Sequence, residues 1–540
     1  ELKSRVPRIL ALKELSAAQQ SRIHHESKAG RMEVSYDDKR LTARCVPESS
    51  MGSFDALLSY PLPPARKAKV PPVSLIDVSS TSPRPDESNE LLVRPGYRAI
   101  RYPMPKTAER EDRVMPSALA VDPKSGRLFV ASLKLGELFV LHDPNDDGVG
   151  ASYQDFSRGL FQDAYSMLHD GEALYLLHRR NLTRISDVNG DGFADRFDRL
   201  APLRHHPGNT YDWAYGLVRD AAGRFLISFA PYADNKNLPG MGGILRLKPG
   251  AKDLESSEIG SGLRNAFGWT TGPEGAVFFT DNQGDWVPAN KLCHVVESKN
   301  YGYPNSARPD LVTQSPDSAA VWVPYDWAKS INGVTYDNTG GKFGPFAGQF
   351  FMAELMHGGA IVRASVEKIN GIYQGACFPF WGKGLLGPLV VTFDLKGRLW
   401  VGAITQPGWM AQPDRGGLFR IDYTGEPPFE IQSIQVRPKG FRLVFTKPVS
   451  PESATSMVSY AVERFRYEFS GAYGSPELDR MPVIIESIAL RKDKKAVDLT
   501  TAPLATGRVY SITGSGIRSA AAEPLLHPTG VYTLKTVPME

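Results

Sequence analysis

The chain has 540 residues, of which 41% are hydrophobic and 23% are charged, a composition typical of a folded globular protein and not of a disordered one. The 63 basic and 59 acidic residues leave a net charge of +4 that is spread along the chain, so nothing indicates nucleic-acid binding. No run of about 18 apolar residues occurs, so no membrane span is predicted.

The first 94 residues show no pattern that identifies a fold. A helix is predicted from Leu10 to Gln20, and the segments 61–72 and 79–85, which are rich in proline and serine, are predicted to be extended. The chain begins at Glu1 with neither a methionine nor a signal peptide, so we expect a mature or excised part of a longer protein. Residues 1–94 are therefore expected to form a short irregular region ahead of the first domain.

Residues 95–428 contain a repeated pattern, in which a polar turn ending in glycine is followed by an apolar strand and later by a second one. The turn glycines are Gly126, Gly171, Gly223, Gly275, Gly348 and Gly397. Glycine supplies the positive φ that a tight turn between strands requires. Repeated units of short strands at this spacing are typical of propeller blades. We therefore predict an all-β chain with a six-bladed β-propeller over 95–428, the alternative being an array of β-sandwiches.

The pattern changes in residues 429–540. Apolar and polar residues alternate with period two in segments such as 441–445 (FRLVF) and 496–499 (AVDL). About 110 residues of such strands predict a small β-sandwich of the immunoglobulin or fibronectin kind.

Three tryptophans are predicted to lie at one end of the propeller. The loops that enter the first strand and leave the second strand of each blade meet at that end, and function is usually carried by loops on a rigid scaffold. Trp213, Trp286 and Trp409 lie on these loops beside charged residues. Such a set is typical of a ligand platform. The alternative is that each tryptophan packs between two blades.

Acidic loops provide candidate calcium sites. The strongest has oxygen-bearing side chains at loop positions 1, 3, 5, 9 and 12 and glycine at position 6, which is the spacing that wraps a loop around Ca²⁺. Its candidate ligands are Asp187, Asn189, Asp191, Asp195 and Asp198. Residues 143–148 are a shorter copy, and Asp281 with Asp285 could share a cation at the functional end. The alternative is a polar turn whose side chains bond their own backbone.

Several segments of the chain resemble a known superfamily. Residues 262–269 (GLRNAFGW), 272–275 (GPEG), 281–284 (DNQG) and 299–304 (KNYGYP) resemble the soluble quinoprotein glucose/sorbosone dehydrogenases. The resemblance is greatest to multidomain bacterial proteins described as membrane-bound dehydrogenases, which are often fused to haem domains. It implies a six-bladed propeller that carries pyrroloquinoline quinone (PQQ) and calcium, a periplasmic or extracellular location, and a haem or other electron-acceptor domain outside this chain.

The resemblance also implies roles for individual residues. Arg264 matches the arginine that faces the cofactor quinone, and Asn265 follows it. The superfamily has a catalytic histidine where the chain enters the first strand of blade three, but residues 211–216 (YDWAYG) contain none. A base must take the proton of the substrate hydroxyl, so Asp212 is the candidate, with His357 or His206 as alternatives.

Three functions are compatible with these observations. The first is a PQQ- and calcium-dependent sugar or alcohol dehydrogenase, with Arg264 stabilising developing negative charge. The second is a propeller that binds a small sugar or polysaccharide without catalysis, with the sandwich as a spacer. The third is a polysaccharide hydrolase or lyase that uses Asp212 with His357, or Glu354 with Asp281. A fold alone does not choose among them.

Overall fold

The structure is a computed structural model that describes residues 93–539 with short gaps, and the backbone of four earlier segments. The gaps are 105–113, 134–135, 149–150, 161–163, 179–180, 203–212, 231–239, 248–255, 305–308, 318, 357–358, 407–409, 411 and 413–414. The earlier segments are 30–37, 40–47, 56–61 and 75–76. The chain divides into two compact units, one of residues 1–75 and 157–160 and the other of residues 76–156 and 161–540.

The first unit contains a three-stranded antiparallel sheet that was not predicted from the sequence. Its strands, in sheet order, are β1 (Gly30–Asp37), β2 (Arg40–Pro47) and β3 (Ala56–Pro61). The sequence of β1 does alternate, with Met32, Val34 and Tyr36 separated by polar residues, as strand sequences do. The predicted helix over 10–20 and almost all of the two predicted extended segments lie outside the described residues.

The second unit is all-β and contains six sheets of antiparallel strands that follow one another along the chain. The boundary between the units falls within the short strand β4 (Leu75–Ile76), and the short strands β5 (Val93–Arg94) and β6 (Tyr97–Tyr102) follow it along the chain. Sheets one and two contain β7 (Pro116–Val121), β8 (Leu128–Ser132), β9 (Leu138–His142) and β10 (Ser152–Ser157), then β11 (Ser166–His169), β12 (Leu174–Leu177), β13 (Asn181–Ser186) and β14 (Arg196–Pro202).

Sheets three and four contain β15 (Ala214–Arg219), β16 (Phe225–Phe229), β17 (Ile244–Leu247) and β18 (Ser256–Ser261), then β19 (Trp269–Thr271), β20 (Val277–Asp281), β21 (Asn290–His294) and β23 (Val321–Val323). Strand β22 (Lys299–Asn300) adds to sheet three in parallel with β18. Sheets five and six contain β24 (Ile331–Tyr336), β25 (Phe350–Glu354), β26 (Ala360–Ile369) and β27 (Ile372–Trp381), then β28 (Pro388–Phe393), β29 (Leu399–Thr405) and β30 (Arg415–Tyr423).

The first strands of the six sheets form a closed circuit. Strands β7, β11, β15, β19, β24 and β28 contact one another in that order, and β28 returns to contact β7. The six turn glycines all lie between the first and second strands of a sheet, with φ from 75° at Gly275 to 91° at Gly171. The repeated glycine turn of the sequence thus occupies the same place in each sheet, and the arrangement is propeller-like.

Two features join the sixth sheet to the earlier part of the second unit, namely strand β6 and sheet one. Strand β6 pairs antiparallel with β30, so that Tyr97 lies opposite Tyr423. In addition, Asp146, on the loop between β9 and β10 of sheet one, forms ion pairs with cationic side chains of sheet six. They are Lys396 at 2.6 Å, Arg420 at 3.1 Å, and Arg398. The two ends of the repeat are therefore held together by backbone pairing and by charge.

Residues after 428 form two further layers. One sheet has the order β31 (Ile431–Arg437), β32 (Gly440–Phe445), β36 (Ala496–Thr501) and β35 (Ile485–Leu490), and the other has β38 (Thr529–Leu534), β37 (Arg508–Thr513), β33 (Ala461–Arg466) and β34 (Leu478–Pro482). The short helix α1 (Pro451–Thr455) precedes β33. Residues of both layers, including Phe441 and Tyr532, share one apolar core. We call these layers the C-terminal sandwich.

The C-terminal sandwich continues a sheet of the propeller-like part. Strand β38 pairs antiparallel with β27, the last strand of sheet five, with Gly375 opposite Thr533 and Cys377 opposite Val531. Strands β24 to β27 and β38, β37, β33 and β34 therefore form one eight-stranded sheet. Backbone hydrogen bonds across this joint fix the sandwich against sheet five. In the part of the chain that the structure describes, no helix is long and apolar enough to span a membrane.

Candidate functional site

A buried carboxylate organises the turn at the end of the second strand of sheet four. Strand β20 begins with three apolar residues and ends at Asp281, whose side chain is fully buried. Its oxygens accept the backbone N–H groups of Asn265 at 2.7 Å, Asn282 at 3.0 Å and Arg264 at 3.3 Å. The carboxylate therefore ties the segment entering sheet four to the turn leaving β20, and brings the two predicted cofactor-binding residues beside the predicted metal-binding turn.

Lys291 neutralises this carboxylate. Its Nζ lies 3.5 Å from Oδ2 of Asp281, and both side chains are completely buried. The same Nζ donates a hydrogen bond to the carbonyl oxygen of Tyr301. A buried charge is tolerated when it is paired and hydrogen-bonded, and Lys291 has both a counter-charge and a hydrogen bond. Lys291 was not predicted from the sequence.

Arg264 is also buried, with only 7% of its surface exposed. Its Nη1 donates a hydrogen bond of 3.1 Å to the carbonyl oxygen of Gln283. A Cβ atom at Gly284 would overlap the guanidinium group, so only glycine allows the arginine to cross the turn there. The guanidinium carbon also lies 5.5 Å from the centre of the Tyr473 ring, which belongs to the C-terminal sandwich.

The turn leaves two hydrogen-bond acceptors unused. Asn282 donates from Nδ2 to the hydroxyl of Ser330 at 3.3 Å, and the backbone N–H of Gln283 donates to the side chain of Asn290 at 3.2 Å. The buried oxygens Oδ1 of Asn282 and Oε1 of Gln283 have no hydrogen-bond partner among the described residues. Buried polar atoms normally have a partner, so these oxygens are candidate contacts for a ligand or cation.

Glu354 is a structural carboxylate of the neighbouring sheet. It is fully buried, and its Oε1 accepts the backbone N–H groups of Lys329, Ser330 and Met356, each at 3.0 Å. Glu354 therefore holds the segment that enters sheet five, just as Asp281 holds the segment that enters sheet four. Neither carboxylate is exposed to a substrate in this arrangement, which disfavours the pairing of Glu354 with Asp281 as a hydrolytic acid and base.

The three predicted platform tryptophans have different surroundings. Trp213 is half-buried and packs on Tyr165, with ring centres 5.2 Å apart, at the edge of an apolar core. Trp286 is half-buried in the turn of sheet four and adopts a φ of 63°, unusual for a bulky residue. Trp409, like the candidate bases Asp212 and His357, lies outside the described residues. The shared platform and the base therefore stay predictions.

The predicted calcium loop folds on itself. Its side-chain oxygens accept backbone N–H groups of the same loop: Asp187 from Gly190 and Gly192, Asn189 from Asp191, Asp191 from Phe193, and Asp195 from Val188 and Asn189. Asp198 forms an ion pair with Arg196 at 3.0 Å. Among the described residues, no three acidic, histidine or cysteine side chains are grouped so as to hold a metal ion. Calcium binding at this loop, and at Asp281 with the exposed Asp285, stays a prediction.

Comparisons with known proteins give structural matches only. No family model matches the chain, and no curated protein matches it. Similar solved structures include an oxidoreductase described as a glucose dehydrogenase from Thermus thermophilus, with 16% identity and a TM-score of 0.45 over 60% of this chain and 100% of that one. They also include the PQQ-bound aldose sugar dehydrogenase of Streptomyces coelicolor, with 14% identity and a TM-score of 0.44 over 61% and 100%. A gluconolactonase from Xanthomonas campestris has 14% identity and a TM-score of 0.38 over 62% and 92%.

Proposed function

We propose that residues 95–428 are a six-bladed β-propeller, that residues 429–540 are an immunoglobulin-like domain, and that the chain is a PQQ- and calcium-dependent sugar or alcohol dehydrogenase. The observation that carries this proposal is the buried assembly of Asp281, Lys291 and Arg264. It presents, at one end of a propeller-like scaffold, the arginine that the sequence resemblance implies for a quinone cofactor. By the same resemblance, we propose a periplasmic or extracellular location and an electron-acceptor domain outside the chain.

The side chains at this site have the chemical groups that PQQ and calcium require. PQQ carries carboxylates and quinone oxygens, which suit the guanidinium of Arg264. Calcium prefers oxygen ligands, and the unused oxygens of Asn282 and Gln283 and the exposed carboxylate of Asp285 are of that type. When bound, PQQ would supply a two-electron acceptor for oxidation of a hydroxyl group.

The protein itself would orient the substrate and stabilise charge. Arg264 is fixed by its bond to Gln283 and by the backbone contacts to Asp281, so it requires little reorganisation to stabilise an oxyanion. The proton of the substrate hydroxyl would pass to Asp212 or His357, which are the candidate bases.

Reconstitution tests this proposal. The full-length chain is titrated with PQQ in the presence of Ca²⁺, and reduction of an artificial electron acceptor is followed with a panel of aldoses and alcohols. We expect PQQ to bind and at least one substrate to reduce the acceptor, and we expect Arg264→Lys to lower kcat by about tenfold to a hundredfold. Arg196→Lys, on the remote calcium-like loop, is the matched control and should leave kcat unchanged. Absence of both PQQ binding and acceptor reduction would contradict the proposal.

One observation favours the second function, sugar binding without catalysis. Two of the carboxylates at this end, Asp281 and Glu354, are fully buried and hold backbone N–H groups, which does not suit a base that contacts the substrate. Calorimetric sugar binding by the full chain, with no acceptor reduction in the presence of PQQ and Ca²⁺, would identify this function instead of the first.

A further inference from the structure

A loop of the C-terminal sandwich reaches the candidate site. Residues 467–477, between β33 and β34, run alongside the turn of sheet four. Within this loop, which we call the sandwich loop, the backbone N–H of Gly474 donates to the carbonyl oxygen of Gly284 at 3.0 Å, and that of Ser475 donates to Pro288 at 2.8 Å. Tyr473 also forms an isolated antiparallel bridge with Asp285. The sandwich loop is therefore hydrogen-bonded directly to the turn that carries Arg264's partners.

Aromatic packing fixes the base of the sandwich loop. The ring of Tyr467 lies 5.5 Å from that of Trp322 in sheet four, and the ring of Phe469 lies 5.8 Å from it. Gly302 has a φ of 109°, and a Cβ atom there would overlap Phe469. Because the joint between β27 and β38 also holds the sandwich against sheet five, the loop has little freedom to move away from the site.

The close approach of the two loops depends on glycine in both. A Cβ at Gly474 would overlap the amide of Gln283, just as a Cβ at Gly284 would overlap Arg264. Gly474 also has a φ of 72°, which favours glycine. Tyr473 directly precedes Gly474 in the sandwich loop. The backbone contacts of this loop therefore hold Tyr473 beside Arg264, although its own ring is not buried.

Tyr473 is exposed despite this ordering. Its exposed fraction is 68%, while the guanidinium carbon of Arg264 lies 5.5 Å from its ring centre. Asp285, which pairs with Tyr473 in the isolated bridge, is exposed as well. An aromatic face carries partial negative charge and attracts the partially positive C–H groups of a sugar ring, and a carboxylate such as that of Asp285 accepts hydrogen bonds from hydroxyl groups. A rigid exposed aromatic ring with polar groups at its rim is typical of a ligand contact.

We propose that Tyr473 is a sugar-binding residue of this site, that the ring of a pyranose stacks on its exposed face, and that the C-terminal sandwich thereby completes the binding site of the propeller. The proposal rests on the proposed function, because it assigns the substrate class of the same site. It also gives the sandwich a role other than that of a spacer.

Calorimetry tests this role with the full chain in PQQ and Ca²⁺, using the aldose that wild type binds most tightly in a panel of monosaccharides and oligosaccharides. We expect Tyr473→Ala to weaken sugar binding by about tenfold, since an aromatic contact is worth roughly this factor. Tyr473→Phe keeps the ring and should stay within about twofold of wild type. Val458→Ala, which alters an exposed residue of the sandwich away from the loop, should match wild type. Thermal unfolding of all variants should coincide, because the ring of Tyr473 is exposed.

Each other outcome has a distinct meaning. If wild type and Tyr473→Ala bind the sugar equally, the role of Tyr473 is wrong and the function of the site stands. If Tyr473→Phe loses as much affinity as Tyr473→Ala, the hydroxyl group and not ring stacking makes the contact, and the stacking proposal is wrong. If wild type binds no sugar of the panel, this role of Tyr473 is wrong, and so is the proposal that the site acts on sugars.

Discussion

Two acidic loops of this chain look alike in sequence and differ in structure. The loop of residues 187–198 satisfies its carboxylates with its own backbone, as in the hydrogen bond of 2.7 Å from Gly190 to Asp187. The turn of sheet four instead uses Asp281 to hold a segment from earlier in the chain, and pairs it with the buried cation of Lys291. The first arrangement is local and exposed, and the second is long-range and buried. Only the second brings together groups from several elements, which is what a binding site requires.

Removal of the buried cation should have the largest effect. Lys291→Met would leave the fully buried carboxylate of Asp281 without its counter-charge, at a cost of about 3–5 kcal/mol in the free energy of unfolding. The matched control is Lys368→Met, because Lys368 pairs with Glu274 at the surface, where solvent screens the pair, so its loss should lower the free energy of unfolding far less. Urea denaturation measures both variants. Equal losses for the two would mean that the buried pair does not stabilise the turn.

An added methyl group should destabilise the protein at Gly284, in the crowded turn of sheet four, and have little effect at Gly471, in the sandwich loop. Gly284→Ala would force Arg264 from its position, and we expect a loss of about 1–3 kcal/mol in stability together with weakened PQQ binding. Gly471→Ala is the matched control, because a Cβ there would make only an ordinary contact of 3.5 Å with the ring of Trp286. Thermal unfolding and PQQ titration of both variants provide the measurement. Unchanged PQQ binding in Gly284→Ala would show that the position of Arg264 is not needed.

Sequence patterns predicted local features and missed long-range ones. The turn glycines were predictable because positive φ is a local requirement that glycine meets, and Gly171 with a φ of 91° is an example. The pairing of β6 with β30, and of β27 with β38, was not predictable, because alternation identifies a strand but not its partner.

The same limit applies to the candidate site. Arg264 was found through a resemblance of its surrounding sequence, and the structure adds the buried contacts that position it. Lys291 was missed because a lysine is usually exposed, and only the tertiary structure shows that its partner Asp281 lies within reach. Tyr473 was missed because it is far from Arg264 along the chain, and only the tertiary structure shows that the loop after β33 reaches the turn of sheet four.

A third acidic loop is held by cations of another sheet, and replacing its carboxylate should have the smallest effect. The loop of residues 143–148 resembles a calcium loop, but Asp146 pairs with cations of sheet six. Burial acts to raise the pKa of Asp146, but hydrogen bonds from Arg398 and Lys396 outweigh it and lower the pKa from 3.8 to about 2. A lowered pKa in the folded state means that the ionised carboxylate stabilises the fold above pH 3.8, and that this contribution is lost as the pH falls towards 2.

Thermal unfolding of wild type and Asp146→Asn across pH 2 to 6 would measure this contribution. Because 39% of the Asp146 side chain is exposed, we expect a difference of no more than about 1 kcal/mol at neutral pH. That difference should shrink as the pH falls through the range between the unfolded and folded pKa values, since both forms then carry a neutral side chain. A difference that is the same at pH 2 and pH 6 would mean that the side chain acts by its shape and not by its charge.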